Sequence, residues 1–179
     1  MVFEEKRIGS ERIYEGAILN LRRDTVTVPN GTAYREVVEH NGAVAIVPVT
    51  EDGKLVMVKQ FRYPSGKALL EIPAGKIDPG ETDPEGTARR ELKEETGYTA
   101  EQFHYLGKIN PSVAYTEEVI HLYAATGLVP GEAEPDEDEA LEILEYDFKE
   151  AYDMAASGAL VDGKTIAAIF MAKEQLDIK

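Results

Sequence analysis

The sequence predicts an α+β protein in which a few helices pack on a mixed sheet. Short runs of alternating or continuous apolar residues recur along most of the chain. The helical segments are few, and each is bounded by a capping residue, a proline or a glycine. At 179 residues and 43% hydrophobic composition, the chain has the size of one domain with a modest appendage and can bury a real core.

The elements follow in chain order. Asp24–Val28 and Tyr34–Glu39 alternate, and Pro29-Asn30-Gly31-Thr32 between them reads as a turn. Ala43–Val49 is nearly all apolar. It leads through Glu51-Asp52-Gly53-Lys54, a hairpin turn by composition, into Leu55–Gln60. The apolar segment Ala68–Ile72 precedes a Gly/Pro-rich stretch that ends near Asp83. Strands are expected again at Phe103–Leu106, Val119–Thr126 and Leu141–Tyr146. Asp83-Pro84 supplies a cap followed by proline at the first helical position, and Gly97 stands where a helix stops, which frames a helix at 84–96. Two more helices fit Phe148–Ser157, closed by Gly158, and Thr165–Gln175, after Asp162-Gly163.

Composition excludes several classes of function. A net charge of −15 leaves no basic footprint for a nucleic-acid backbone. An anionic substrate is still compatible with it, provided divalent cations bridge the negative charges. With no cysteine, disulfide and thiol chemistry are excluded. The charged N-terminus lacks the apolar run of a signal peptide, and no stretch has the roughly 18 apolar residues of a membrane span. A cytoplasmic address is expected, with no membrane partner.

On the helix 84–96, Glu91, Glu94 and Glu95 stand at i, i+3 and i+4 and share one face. Ala88, Leu92 and Thr96 form another stripe suited to the core. By itself such a carboxylate cluster is the pattern of a solvated face. It is also a donor set for a hard divalent cation, which takes oxygen ligands in preference to Cys or His. The preceding loop decides between the two. Gly75-Lys-Ile-Asp-Pro-Gly-Glu81 leads into Arg90-Glu-Leu-Lys-Glu-Glu-Thr-Gly-Tyr98. This resembles the Nudix box: glycine, five residues, Glu, seven residues, then Arg-Glu-aliphatic-any-Glu-Glu-any-Gly-apolar. One departure is an eighth residue between Glu81 and Arg90, in the loop before the helix cap.

The resemblance implies an α/β/α sandwich with a mixed β-sheet, the Nudix fold, preceded by an antiparallel strand extension over 1–41 and followed by the catalytic domain over 42–179. It implies that Glu91 and Glu95 bind metal, that Glu94 assists, and that the carbonyl of Ala74 is a further ligand. Gly75, Glu81, Arg90 and Gly97 are then the structural members of the box, with Glu81 pairing with Arg90. The cofactor implied is Mg²⁺, or Mn²⁺.

The flanks are similar to the ADP-ribose pyrophosphatase subgroup: Val58-Lys-Gln-Phe-Arg-Tyr-Pro64, Leu70-Glu-Ile-Pro-Ala-Gly-Lys76 and Arg35-Glu-Val-Val-Glu-His40. In that subgroup Arg62 and Arg35 contact substrate, and N-terminal strands exchange within a homodimer. A plain surface ion pair is the competing reading of either arginine. The acidic segment Glu132–Glu139 has the composition of a charged loop. The subgroup's pattern of two glutamates one residue apart, ahead of a strand, instead makes Glu137 and Glu139 candidates for the general base, with Glu139 preferred. Glu118 matches an acidic position that holds the terminal ribose. A second departure is Asn110-Pro111-Ser112 where the subgroup often has Ser-Pro-Gly.

The function implied is Mg²⁺-dependent hydrolysis of ADP-ribose to AMP and ribose 5-phosphate, with a small nucleoside diphosphate as substrate. Two alternatives stay open. One is hydrolysis of another nucleoside diphosphate sugar such as GDP-mannose, or of a dinucleoside polyphosphate. The other is a catalytically silent nucleotide-binding module.

Overall fold

The computed structural model describes residues 2–134 and 140–176. The chain divides into two compact units, one formed by residues through Gly42 with Asn110–Val119, the other by Ala43–Ile109 with the chain from Ile120 onward. Among the described residues, no helix is long and apolar enough to cross a membrane.

The N-terminal unit is an antiparallel sheet of order β1-β2-β3, with β1 at Arg7–Glu15, β2 at Asn20–Val28 and β3 at Gly31–Glu39. The Pro29–Asn30 turn forms as the sequence predicts, and Gly31 takes φ 126° beyond it. β1 carries no strand signature in the sequence. Its apolar residues Ile8, Ile13 and Tyr14 do not alternate, and all nine of its positions are exposed. Nothing in the sequence marks Asn110–Val119 as belonging here. Backbone hydrogen bonds attach it: Val38 N–H donates to Tyr115 C=O at 2.7 Å, and Glu117 N–H donates to Val38 C=O at 3.0 Å. Arg22 adds hydrogen bonds to Glu39 at 2.7 Å and to Glu117 at 3.0 Å.

The second unit holds two sheets. One, of order β7-β4-β9-β8, pairs β4 (Ala43–Pro48) in parallel with β9 (Ile120–Val129). It adds β7 (Ala74–Lys76) and β8 (Thr99–Ile109) antiparallel. The other, of order β10-β5-β6, is antiparallel and uses β10 (Glu142–Asp147), β5 (Lys54–Arg62) and β6 (Lys67–Glu71). The 51–54 turn is correct, but the hairpin it opens is not continued. Val49 bridges Leu55 and pairing then stops, because β4 and β5 enter different sheets.

Helices cover both faces of the β4 sheet, the α/β/α layering implied by the sequence. The reason is visible in β4, where all six residues are buried. Ala43, Ala45 and Val47 enter a core with Ala151 and Ala155 of α2 (Phe148–Ser157) and Ala168, Ile169 and Ala172 of α3 (Gly163–Leu176). Val44 and Ile46 point the other way, to Ala88 and Leu92 of α1 (Pro84–Thr96). A strand buried on both faces must be apolar throughout, which removes the alternation a half-buried strand shows. Truncating Leu92, which is fully buried, to alanine is expected to cost about 2–5 kcal/mol.

Candidate active site

The site is built on α1 and the strand that meets it. The helix spans the predicted residues and stops at Gly97, whose φ of 75° and N–H to Lys93 C=O form the left-handed cap. Asp83 occupies the N-cap position, but its carboxylate makes no cap hydrogen bond; its carbonyl instead accepts the Thr87 N–H at 3.1 Å. Ala88, Leu92 and Thr96 are buried as the stripe requires.

The three carboxylates are not a solvated face. Glu95 is 3% exposed, and one of its oxygens accepts the N–H of Ala74 at 3.0 Å. Glu91 lies against Gly75, where an added Cβ would fall 1.9 Å from the Glu91 carboxyl carbon. Glycine here leaves room for the Glu91 carboxylate. Arg90 lies 2.9 Å from Glu91 and donates to Glu94 at 2.8 Å, which offsets the repulsion among like charges on adjacent turns. Burial opposes the charge on Arg90 first, but the carboxylates of Glu91, Glu94 and Glu81 outweigh it and raise its pKa.

The extra residue before the helix leaves Glu81 in its place. Glu81 accepts the N–H of Asp78 and the hydroxyl of Thr87, each at 3.0 Å, and lies 4.0 Å from Arg90. These contacts hold its carboxyl below the usual range.

α1 and β7 thus bring together Ala74, Gly75, Glu91, Glu94 and Glu95, with Glu81 and Arg90 around them. Among the described residues no three His, Cys, Asp or Glu side chains converge as a ready-made cage, since each glutamate is drawn to a donor or cation of the protein. The chemistry of the set still fits a hard cation: carboxylate oxygens and a backbone carbonyl, with no sulfur or imidazole.

Arg62 is held by Glu71, to which it donates from both Nε and Nη2. Arg35 and Glu118 belong to the N-terminal unit. There Arg35 pairs with Glu5, and Glu118 lies 3.8 Å from His40. Glu137 and Glu139 lie outside the described residues. The chain just before them is fixed to the end of α1: Glu134 N–H donates to Glu94 C=O at 3.0 Å, and an added Cβ on Gly131 would fall 2.8 Å from the Gly97 carbonyl oxygen.

Sequence reasoning missed Glu71, Asp162, Lys164 and Thr165, which form a buried polar network beside this site. A signal was present, since Glu71 is a charged residue set between the apolar run Ala68–Leu70 and Ile72.

Fold and site together define a Nudix protein, and the chain belongs to the Nudix family: residues 30–169 match the NUDIX domain. Proteins of this family use divalent metal ions. Residues 5–38 match the nucleoside diphosphate sugar hydrolase N-terminal domain. The chain is 45% identical over 171 residues to a methanol dehydrogenase activator of Bacillus methanolicus, which covers 94% of this chain and 92% of the relative. It is 43% identical over 169 residues to an ADP-ribose pyrophosphatase of Bacillus subtilis (strain 168), covering 93% and 91%. A solved ADP compounds hydrolase shares the fold at a TM-score of 0.85 and 24% identity, covering 99% of this chain and 96% of that one.

Proposed function

We propose that this chain hydrolyses the pyrophosphate bond of ADP-ribose, releasing AMP and ribose 5-phosphate, with Mg²⁺ as cofactor and Mn²⁺ as an alternative. The observation that carries this reading is the fit of α1 to β7: Glu95 accepts the Ala74 N–H, and Glu91 fills the place a Gly75 side chain would take. That fit puts two carboxylates and a backbone carbonyl on adjoining elements. The ADP-ribose pyrophosphatase of B. subtilis, similar over almost the whole chain, supports the substrate.

Glu91, Glu95 and the Ala74 carbonyl would hold the cation, with Glu94 assisting. A cation held there would supply charge to neutralise the pyrophosphate and would lower the pKa of the attacking water. The remaining work belongs to the chain. Arg62 and Arg35 hold phosphate oxygens and Glu118 holds the terminal ribose. Arg90 balances the glutamates, and Glu139, or Glu137 beside it, takes the proton of the attacking water.

We further infer a homodimer with exchanged N-terminal strands. Its support is β1, exposed at every position and carrying Ile8, Ile13 and Tyr14 on the edge of a three-stranded sheet. An uncovered edge strand with apolar side chains is a template for pairing with a second copy.

A second reading has one observation behind it. Asn110-Pro111-Ser112 lacks the glycine the subgroup often has, which favours a pocket for another sugar nucleotide such as GDP-mannose. Chromatography of products from ADP-ribose, GDP-mannose, ADP-glucose, NADH and diadenosine polyphosphates separates the two. AMP formed from ADP-ribose well ahead of the rest is the expected result. A preference for GDP-mannose would transfer the assignment, and no turnover of any substrate would leave a nucleotide-binding module.

A further inference from the structure

Glu71 ends β6 at 2% exposure, directly after the apolar residues Ala68, Leu69 and Leu70. A charge at that depth is costly unless it is paired. Two cations reach it. Arg62 donates from Nε to one oxygen at 2.8 Å and from Nη2 to the other at 2.7 Å, and Lys164 donates from Nζ at 2.6 Å. Lys164 is itself largely buried, with its side chain 13% exposed, and its second acceptor is Asp162 at 2.9 Å. The same Asp162 oxygen accepts the N–H of Thr165 at 3.1 Å and its hydroxyl at 2.5 Å. The Thr165 hydroxyl in turn accepts the N–H of Ile72 at 3.0 Å. The first turn of α3 is thereby fastened to Glu71 at the end of β6 and to Ile72 after it, two residues ahead of Ala74.

This network has a consequence for Arg62, whose side chain is 38% exposed and opens to solvent. With Nε and Nη2 both on Glu71, the guanidinium plane cannot turn, and the direction of the remaining Nη1 donors is set. The four charges, Arg62 and Lys164 against Glu71 and Asp162, sum to zero. Without Lys164 the cluster would carry a net negative charge and draw Arg62 inward.

We propose that Lys164, held by Asp162, is a positioning residue that acts through Glu71 to fix Arg62 for the phosphate groups of the substrate, setting affinity and leaving the hydrolytic rate alone. The proposal rests on Arg62 being a substrate contact. Lys164 is too enclosed for that role itself, which is why its effect must travel through Arg62.

A double-mutant cycle tests it. Dissociation constants for ADP-ribose are measured by calorimetry with Mg²⁺ present, using its non-hydrolysable α,β-methylene analogue so that no hydrolysis intervenes, with kcat, KM and melting curves alongside. Lys164→Met is expected to weaken binding about tenfold, the effect of about 1.4 kcal/mol, to raise KM alike, and to leave kcat within about twofold. Arg62→Ala should weaken binding at least as much, and the double variant no further than Arg62→Ala alone. Should Lys164→Met melt below the assay temperature, Lys164→Gln, which keeps a donor for Glu71, takes its place with the same expected pattern. Full additivity, or a fall in kcat with binding unchanged, overturns the positioning role. Unchanged binding by Arg62→Ala instead removes the substrate contact on which it rests. If the wild type binds neither ADP-ribose nor GDP-mannose, both fall together.

Discussion

At the scale of single residues, the metal helix depends on carboxylates that are partly or wholly withdrawn from water. Glu95→Gln keeps an oxygen to accept the Ala74 N–H but removes the ligand charge. Losing an outer partner of a metal site costs about 10–100-fold, so losing a direct ligand is expected to reduce kcat/KM at least about hundredfold while the melting temperature barely changes. Full activity in this variant would refute the metal assignment. Glu71 yields a prediction in pH. Burial opposes its ionisation, but the hydrogen bonds from Arg62 and the charge of Lys164 outweigh that and hold its pKa below the ordinary carboxylate value. A carboxyl with a lower pKa folded than unfolded stabilises the protein at pH above its unfolded value, about 4.3. That contribution is lost as the pH falls through the folded value. The gap in melting temperature between wild type and Glu71→Gln should therefore be widest at neutral pH and narrow on acidification. A gap that widens in acid would contradict the ion-pair account.

At the scale of elements, two glycines mark where backbones meet the helix. Gly97 combines φ 75° with a neighbour that cannot yield, the Gly131 carbonyl oxygen, 2.6 Å from where its Cβ would stand. Gly97→Ala is expected to cost at least about 1–2 kcal/mol for the left-handed backbone alone. In a chain of this size each kcal/mol lowers the melting temperature by about 2–4 °C, and displacement of the chain at 131–134 adds to it. Gly75→Ala should behave differently. The atoms in its way are the end of the flexible Glu91 side chain, which can swing aside. The fold should survive with little change in melting temperature, while activity falls because a ligand has moved. A melt lowered as far as that of Gly97→Ala would show the contact to be structural. The helices were legible because caps and glycines are local signals, and all three lie within two residues of their predicted bounds at each end. The paths of β4 and β5 were not legible. The turn at 51–54 is written in local residues, but which sheet each strand joins depends on partners far along the chain.

At the scale of the whole molecule, a chain of net charge −15 that acts on an anion needs cations to do so. Activity should vanish in excess EDTA and return with Mg²⁺, while the melting temperature of the chelated protein stays close to that of the untreated one, because the cores are built without an ion. Activity retained in EDTA would exclude metal-assisted hydrolysis. The association proposed through β1 predicts twice the chain mass of 19.7 kDa by light scattering at micromolar concentration. A monomer mass there would end that proposal.

The sequence by itself determined the helix of glutamates, its start at Pro84 and its stop at Gly97, and the loop that distinguishes this cluster from a solvated face. Those features are encoded by spacing and capping within one stretch of chain. Only the tertiary structure decided that the Glu91 carboxylate occupies the space a Gly75 side chain would take, and that Asn110–Val119 joins the N-terminal sheet. It alone decided that Glu71 is shared by Arg62 and Lys164, residues with which it is not in register along any one element. A buried carboxylate is stable only with cations delivered to it, and here one comes from the neighbouring strand and the other from a helix 93 residues further on. That long-range pairing has no local signature in the chain.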